Sequence, residues 1–229
     1  MKANRGRVMS ATFIKVGSVD PVVEYLSNTL NSHLNQGQKV LWLVSGGSAI
    51  PVEVLVAQKL TGSHLGNLTI APTDERPGPV GHPDSNWHQL GLKGFAVTGA
   101  ASFPVLNGGS SQDQAEKFGR FLEHELSAND YKVALFGIGP DGHTAGIPAL
   151  HAEILSGMTA LYEAGPFRRI SMTPAAIAHL DEAVVVALGE SKWPVLDHLT
   201  PDSEVSASNL FRAPKLTIFN DRRGDSHRE

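Results

Sequence analysis

The stretch KVLWLVSGGSAIPVEVLVAQKL, residues 39–60, decides how the chain is read. Positions 40–44 are apolar without a break, where a strand with one wet face would alternate. An unbroken run of this kind is expected of an inner strand in a parallel sheet covered on both faces. Gly46 and Gly47 then allow a tight turn and a close backbone approach by a ligand. Ser48 is placed to cap the helix that follows, with Pro51 in its first turn. A helix start here, with free N–H groups and a positive dipole end, favours an anion such as phosphate. Strand–glycine–helix turns are common, so the motif alone leaves a plain turn equally open. No Gly-Lys-Ser/Thr follows, which excludes a nucleotide P-loop.

The same grammar recurs along the chain. ATFIKV, LTIAP, YKVALFG, RISMT, EAVVVALG and KLTIF read as further strands, rich in β-branched and aromatic residues. Between them lie helical patterns. Residues 111–127 place Ala115, Phe118, Leu122 and Leu126 on one face, and residues 20–34 do the same with Val23, Leu26 and Leu30. Asp20 is the expected N-cap of that first helix, with Pro21 at its first position. Strands alternating with helices predict an α/β fold with a mainly parallel sheet. No repeat or low-complexity linker divides the chain, so one domain is expected over residues 10–221, with 1–9 and 222–229 as flexible tails.

Composition narrows the function. Of the 229 residues, 41% are hydrophobic and 18% charged, as in ordinary soluble globular proteins. A net charge of -4 offers no global case for nucleic acid or an anionic membrane as partner. The absence of cysteine excludes disulfides, thiolate nucleophiles and cysteine metal sites, and fits a reducing compartment. The N-terminus lacks the apolar run of a secretory signal, and no segment reaches the length needed to span a bilayer. A cytoplasmic protein is the expectation.

In a parallel sheet, ligands bind beyond the carboxyl ends of the strands. After LTIAP comes TDERPGPVGHPDSN, residues 73–86, where three charges follow a buried strand. Such charges are unfavourable there unless paired or used on a ligand. Arg76 suits bidentate grip of a phosphate, with Asp74 or Glu75 to orient it. Asp84, Ser85 or Asn86 can cap the next helix. After YKVALFG comes IGPDGHTAG, which carries Asp141 and His143. A histidine here can serve as a general base near neutral pH, and Asp141 can hold its imidazole. A glycine-rich turn whose histidine only bonds backbone explains the stretch as well. Arg169 precedes ISMT, and Lys192 sits in GESK behind another strand; with Arg76 they can balance a phosphate dianion. His82, His88, His124, His151, His179 and His198 show no HExxH or other metal spacing. No G-x-S-x-G elbow or dinucleotide fingerprint is present.

Taken in order, SGGS (45–48), DERPGPVGHPDSN (74–86), GIGPDGHTA (137–145), RISMT (169–173) and GESK (189–192) resemble the 6-phosphogluconolactonases. These belong to a larger sugar-phosphate group that includes the glucosamine-6-phosphate deaminases. The resemblance implies a Rossmann-like three-layer α/β/α domain and hydrolysis of 6-phospho-D-glucono-1,5-lactone in the pentose phosphate pathway. It implies a small phosphorylated sugar lactone as ligand and no metal or organic cofactor. By the same resemblance His143 is the expected general base, and Arg76 and Lys192 are expected phosphate ligands. Gly46, Gly47 and Ser48 would line the phosphate, while Asp141, Asn86 and Arg169 match motif positions with less defined roles. The chain departs from the family pattern in two places. SGGSAIPV stands where SGGSTP is usual, and TAGIPA where TASLFP is usual. The deaminase branch carries DEY where this chain has DER, so Arg76 argues for the lactonase branch. A sugar-phosphate-binding module without activity is the reading from another class, against which stands the retained Asp141-Gly-His143 unit.

Overall fold

Alternate residues of each inner strand go to opposite faces, and the structure divides them between two cores. Val40, Trp42 and Val44 of one strand, with Val133, Leu135, Val184 and Val186 of its neighbours, enter one core. Leu41 and Leu43, with Ala134, Phe136, Ala183 and Val185, enter the other. Both faces of the sheet are therefore covered, which is why the runs carry no polar alternation. The structure is a computed structural model and describes residues 10–62, 64–147, 157–164 and 167–224. The expected tails at 1–9 and 225–229, His151, and the TAGIPA motif from Pro148 onward lie outside the described residues.

The strands and helices, in chain order, are β1 (Thr12–Lys15), α1 (Asp20–Asn35), β2 (Val40–Val44), α2 (Ile50–Lys59), β3 (Leu68–Pro72), β4 (Asp74–Glu75), α3 (Asn86–Leu92), β5 (Ala101–Ser102), α4 (Ser111–Ala128), β6 (Tyr131–Gly137), β7 (Thr159–Ala164), β8 (Phe167–Met172), α5 (Pro174–Ile177), β9 (Glu182–Ala187), α6 (Trp193–His198) and β10 (Leu216–Asn220). Seven strands form one parallel sheet in the order β1-β10-β9-β6-β2-β3-β5. Helices α1 and α2 cover the face that buries Trp42, and α4, α5 and α6 cover the other. This is the expected three-layer α/β arrangement.

The helix starts refine the sequence reading. Asp20 is the first residue of α1 rather than its cap; Val19 holds the N-cap position, and Pro21 lies in the first turn as expected. Ser110 caps α4 in a capping box with Asp113, which satisfies two orphan donors at once. Ala115, Phe118, Leu122 and Leu126 of α4 are buried against the sheet. Burying one side chain the size of Phe118 contributes roughly 1.5–3 kcal/mol.

One strand belongs elsewhere. RISMT was expected to alternate with the parallel strands, but β8 pairs antiparallel with β4 and β7 in a separate sheet of three. Its partner β4 is only Asp74–Glu75, too short to announce itself in the sequence. The pairing places Ser171 opposite Asp74, so it brings β8 to the DER loop. Of the expected C-terminal tail, Arg222 and Arg223 are described. Arg222 makes a two-pronged ion pair with Asp197, at 2.9–3.1 Å, and the Arg223 guanidinium lies 3.7 Å from the centre of the Phe13 ring.

Candidate active site

The loops after β2, β3, β6 and β9 leave the same edge of the sheet, so residues far apart in sequence meet there. Ser45, Gly46, Gly47, Ser48, Asp74, Arg76, Asn86, His143, Arg169 and Lys192 line one cavity of about 270 Å³. Every expected site residue is in that lining except Asp141, which stands directly behind His143. The cavity wall thus carries three cations, one carboxylate and a histidine.

The histidine turn is shaped by glycine. Gly142 has φ 81°, and a Cβ there would lie 2.6 Å from Val205. A Cβ on Gly139 would collide with the His143 ring, so only glycine lets that ring lie against the turn. The turn closes through Gly139 N–H to the His143 carbonyl at 2.8 Å and is tied to its surroundings by Thr144. The Thr144 hydroxyl donates to the Gly137 carbonyl at 2.8 Å, and its N–H donates to Ser206 Oγ at 3.0 Å. Ala145 continues the loop at φ 48°, an uncommon conformation for a residue with a side chain.

Within this frame His143 Nδ1 lies 2.6 Å from Asp141 Oδ1, which also accepts the His143 N–H at 3.2 Å. Partial burial works against ionisation of Asp141, but the bonds and charge of His143 hold its carboxyl below the usual carboxylate range. An ionised Asp141 accepts a hydrogen bond from Nδ1–H, which leaves Nε2 of a neutral ring as the acceptor. The pair is half exposed, with side-chain accessibilities of 56% and 74%, so solvent reaches it.

The glycine loop after β2 is fitted to the DER loop. A Cβ on Gly46 would collide with the Asn86 carboxamide, and Asn86 Nδ2 donates to the Asp74 carbonyl at 2.9 Å. Gly47 takes φ 63°. Ser48 is not the cap expected of it: Ala49 holds the N-cap position of α2, and neither residue caps through its side chain. The Ser48 hydroxyl instead sits 3.4 Å from Lys192 Nζ, on the cavity wall. The cap expected among Asp84, Ser85 and Asn86 does form: Ser85 Oγ accepts the His88 N–H at 3.1 Å at the start of α3.

Glu75 has a task that sequence reasoning did not assign. Its buried carboxylate accepts the N–H groups of Arg76 (2.7 Å), Asn86 (2.7 Å) and Trp87 (3.0 Å) and the Ser85 hydroxyl (2.9 Å). It therefore closes the 76–85 loop back on α3 and fixes where Arg76 leaves the backbone. The Arg76 Nη1 donates to the Asp84 carbonyl at 2.8 Å.

Electrostatics separate the acids from the cations. Burial lifts the Asp74 carboxyl above its usual value, against the pull of Arg169 and Arg76. Burial also lowers the Arg169 guanidinium, with Asp74 opposing and Arg76 adding to the shift. The Lys192 ammonium is likewise lowered by burial and supported by Asp221. Asp221, the residue after β10, was not singled out from sequence. It accepts the Gly189 N–H and the Trp193 Nε1–H, each at 2.9 Å, and so pins the turn that carries Lys192. Gly189 itself takes φ 106°.

Known proteins resemble this chain in sequence and in fold. A family model described as glucosamine-6-phosphate isomerases/6-phosphogluconolactonase matches residues 17–217. A 6-phosphogluconolactonase of Neisseria meningitidis serogroup B is 28% identical over 191 residues, covering 77% of this chain and 80% of the relative. The Treponema pallidum 6-phosphogluconolactonase is 25% identical over 199 residues, covering 81% and 82%. Among solved structures, 6-phosphogluconolactonase from Thermotoga maritima superposes with a TM-score of 0.77 at 22% identity, covering 91% of this chain and 96% of that one. A monomeric glucosamine-6-phosphate deaminase superposes with a TM-score of 0.73 at 16% identity, covering 92% and 97%. The structural likenesses show the fold, which both activities share.

Proposed function

Because the chain belongs to the glucosamine-6-phosphate isomerase/6-phosphogluconolactonase family, we propose that it hydrolyses 6-phospho-D-glucono-1,5-lactone to 6-phosphogluconate. The observation that carries this reading is one cavity that gathers two kinds of chemistry. His143, backed by Asp141, faces the same space as Ser48, Lys192, Arg76 and Arg169. The histidine suits proton transfer and the cations suit a dianion. The 25–28% identical relatives named as 6-phosphogluconolactonases favour the lactonase branch. Arg76 does too, since a guanidinium at that position adds a bidentate phosphate donor.

In this mechanism the cations and the 45–48 loop bind the 6-phosphate, which is remote from the bond broken. Its binding energy orients the carbonyl rather than reacting. His143 Nε2 takes a proton from water as the water oxygen bonds to C1. The tetrahedral oxyanion is met by backbone N–H groups or a cation of the wall. The bond from C1 to the ring oxygen then breaks, the proton goes to that oxygen, and the acid and a C5 hydroxyl result. Asp141 fixes the tautomer and supports the imidazolium. A δ-lactone is reactive enough that no covalent nucleophile is required.

The test is hydrolysis of freshly made 6-phosphogluconolactone beside glucono-δ-lactone without phosphate, each corrected for the spontaneous rate. Strong acceleration of the phosphorylated substrate alone is expected. Hydrolysis no faster than buffer, with ammonia released from glucosamine 6-phosphate, would move the chain to the other branch. Binding of 6-phosphogluconate without turnover of either substrate would leave a binding module.

A further inference from the structure

Behind the anion loop stands a buried acid that the reaction above does not use. Glu53, in the first turn of α2, is fully buried. Its Oε1 accepts the Ser45 N–H in a short hydrogen bond, and its Oε2 is buried without a hydrogen-bond partner. Ser45 is held from its other side as well. Its hydroxyl donates to the Leu135 carbonyl at 2.6 Å and meets the Thr73 hydroxyl at 3.0 Å. Thr73 in turn donates to Asp74 at 3.2 Å.

We propose that Glu53 is a positioning residue for the anion loop: its carboxyl anchors the Ser45 N–H and holds Gly46, Gly47 and Ser48 in the shape that receives the phosphate. The proposal rests on the sugar-phosphate reading given above. Its argument is one of restraint. Two glycines in succession leave residues 45–48 with little restraint of their own, and neither the 3-10 turn at Gly47–Ala49 nor α2 has a side-chain cap. Glu53 supplies the missing tie from the helix side. A loop ordered before the ligand arrives need not be ordered by it, so affinity is kept. The shape matters at both ends of the loop: Asn86 packs on Gly46, and Ser48 Oγ stands 3.4 Å from Lys192 Nζ.

An acid suits this place because burial favours its neutral form. Burial pushes the Glu53 carboxyl well up, the Ser45 N–H pulls it back, and nearby Asp74 pushes it up again. The shift favours the protonated acid, which sets no negative charge behind a phosphate dianion. A proton on Oε2 leaves Oε1 as the acceptor for Ser45. Glutamine has the same shape and the same acceptor, whereas methionine has the shape without it.

Three variants test the idea, Glu53→Gln, Glu53→Met and Glu53→Ala, each first checked for folding by circular dichroism and melting. Calorimetry with 6-phosphogluconate and steady-state kinetics on the lactone are the readouts. Glu53→Gln is expected to bind and turn over within about threefold of wild type. Glu53→Met is expected to weaken binding and raise KM by about tenfold, about 1.4 kcal/mol, while kcat stays within about threefold. Should methionine not fold, Glu53→Ala carries the comparison, since water at Ser45 does not fix the loop. A folded Glu53→Met or Glu53→Ala with wild-type KM and affinity would overturn the proposal, as would a Glu53→Gln as impaired as Glu53→Met. Wild-type protein that neither hydrolyses the lactone nor binds 6-phosphogluconate would sink the functional reading itself, a result distinct from an indifferent Glu53.

Discussion

Beneath the N-terminal ends of β6, β9 and β10, the buried carboxylate of Glu182 accepts from Tyr25 (2.6 Å), Tyr131 (2.8 Å), Thr217 (3.0 Å) and Lys215 (3.2 Å). Beside it Asp181 pairs with Lys132 at 2.7 Å. At the opposite edge of the same sheet, three cations and one carboxylate line the cavity that His143 faces. The cavity over Glu182 is the larger of the two, about 460 Å³ against about 270 Å³. Size and polarity therefore do not tell a site from a structural cluster. What differs is closure. Around Glu182 each charge meets its opposite and the acid has four donors, so the network is complete without a ligand. Among the described residues lining the other cavity, three cations face one carboxylate, an imbalance that an anion would relieve.

The comparison breaks most sharply at His143. In His143→Ala, kcat should fall by roughly 10²–10⁴, the usual worth of a positioned acid–base group, while affinity for 6-phosphogluconate changes little. Stopped-flow hydrolysis corrected for the spontaneous rate measures the first, and calorimetry the second. Near-wild-type kcat would remove His143 from the reaction. Next in size is Lys192→Ala, which deletes a partly buried cation from the wall. Loss of a charged hydrogen bond of about 1.5–3 kcal/mol should raise KM about ten- to a hundredfold, with a smaller change in kcat. The variant should also lose preference for the phosphorylated lactone. An unchanged KM ratio between phosphorylated and plain lactone would show that Lys192 does not touch the phosphate.

The site edge was legible in the sequence because parallel strands deliver their next residues to one place. Continuous apolar runs such as Val40–Val44 marked the strands, and the charged or glycine-rich text after them marked the loops. Arg169 was picked out without its true setting, since β8 is the middle strand of a separate antiparallel sheet whose edge strand β4 has only two residues. Glu53 was passed over because one acid among apolar neighbours in a helix reads as a solvated face. Its burial arises only when the chain folds Ser45 back over α2. Glu75 looked like a companion to Arg76, yet its carboxylate serves one hydroxyl and two backbone N–H groups ten to twelve residues on, which no local pattern shows. Ser48 looked like a cap because caps are inferred from neighbours along the chain, whereas its actual neighbour is Lys192, 144 positions away.

The Glu182 side of the comparison can be tested by the opposite pattern. Glu182→Gln replaces one acceptor oxygen with a donor facing a cluster of donors. It should destabilise the protein by about 1–3 kcal/mol, or about 2–4 °C in Tm for each kcal/mol in a chain of this size. Kinetics on the lactone should not change at a temperature where the variant is folded. A raised KM in fully folded protein would mean that the two ends of the sheet are coupled, and the contrast drawn above would fail.

The smallest effect is expected at Asp221, and its sign follows from Lys192. Burial lowers the Lys192 ammonium and Asp221 raises it, so the lysine's charge depends on that carboxylate. A phosphate dianion prefers the protonated lysine, so affinity is full below the Lys192 pKa and declines as pH rises through it. Asp221→Asn removes the supporting charge and lowers that pKa further. The alkaline rise in KM should then begin at a lower pH than in wild type. Where the lysine stays protonated in both proteins, the charge alone should leave KM within about twofold of wild type. Asn also loses one of the two acceptors that pin Gly189 and Trp193, which alone would raise KM equally at every pH. The profile separates the two causes: a curve displaced along the pH axis reports the charge, and a curve raised uniformly reports the turn. A KM profile that superimposes on wild type at every pH would show that neither reaches the ligand.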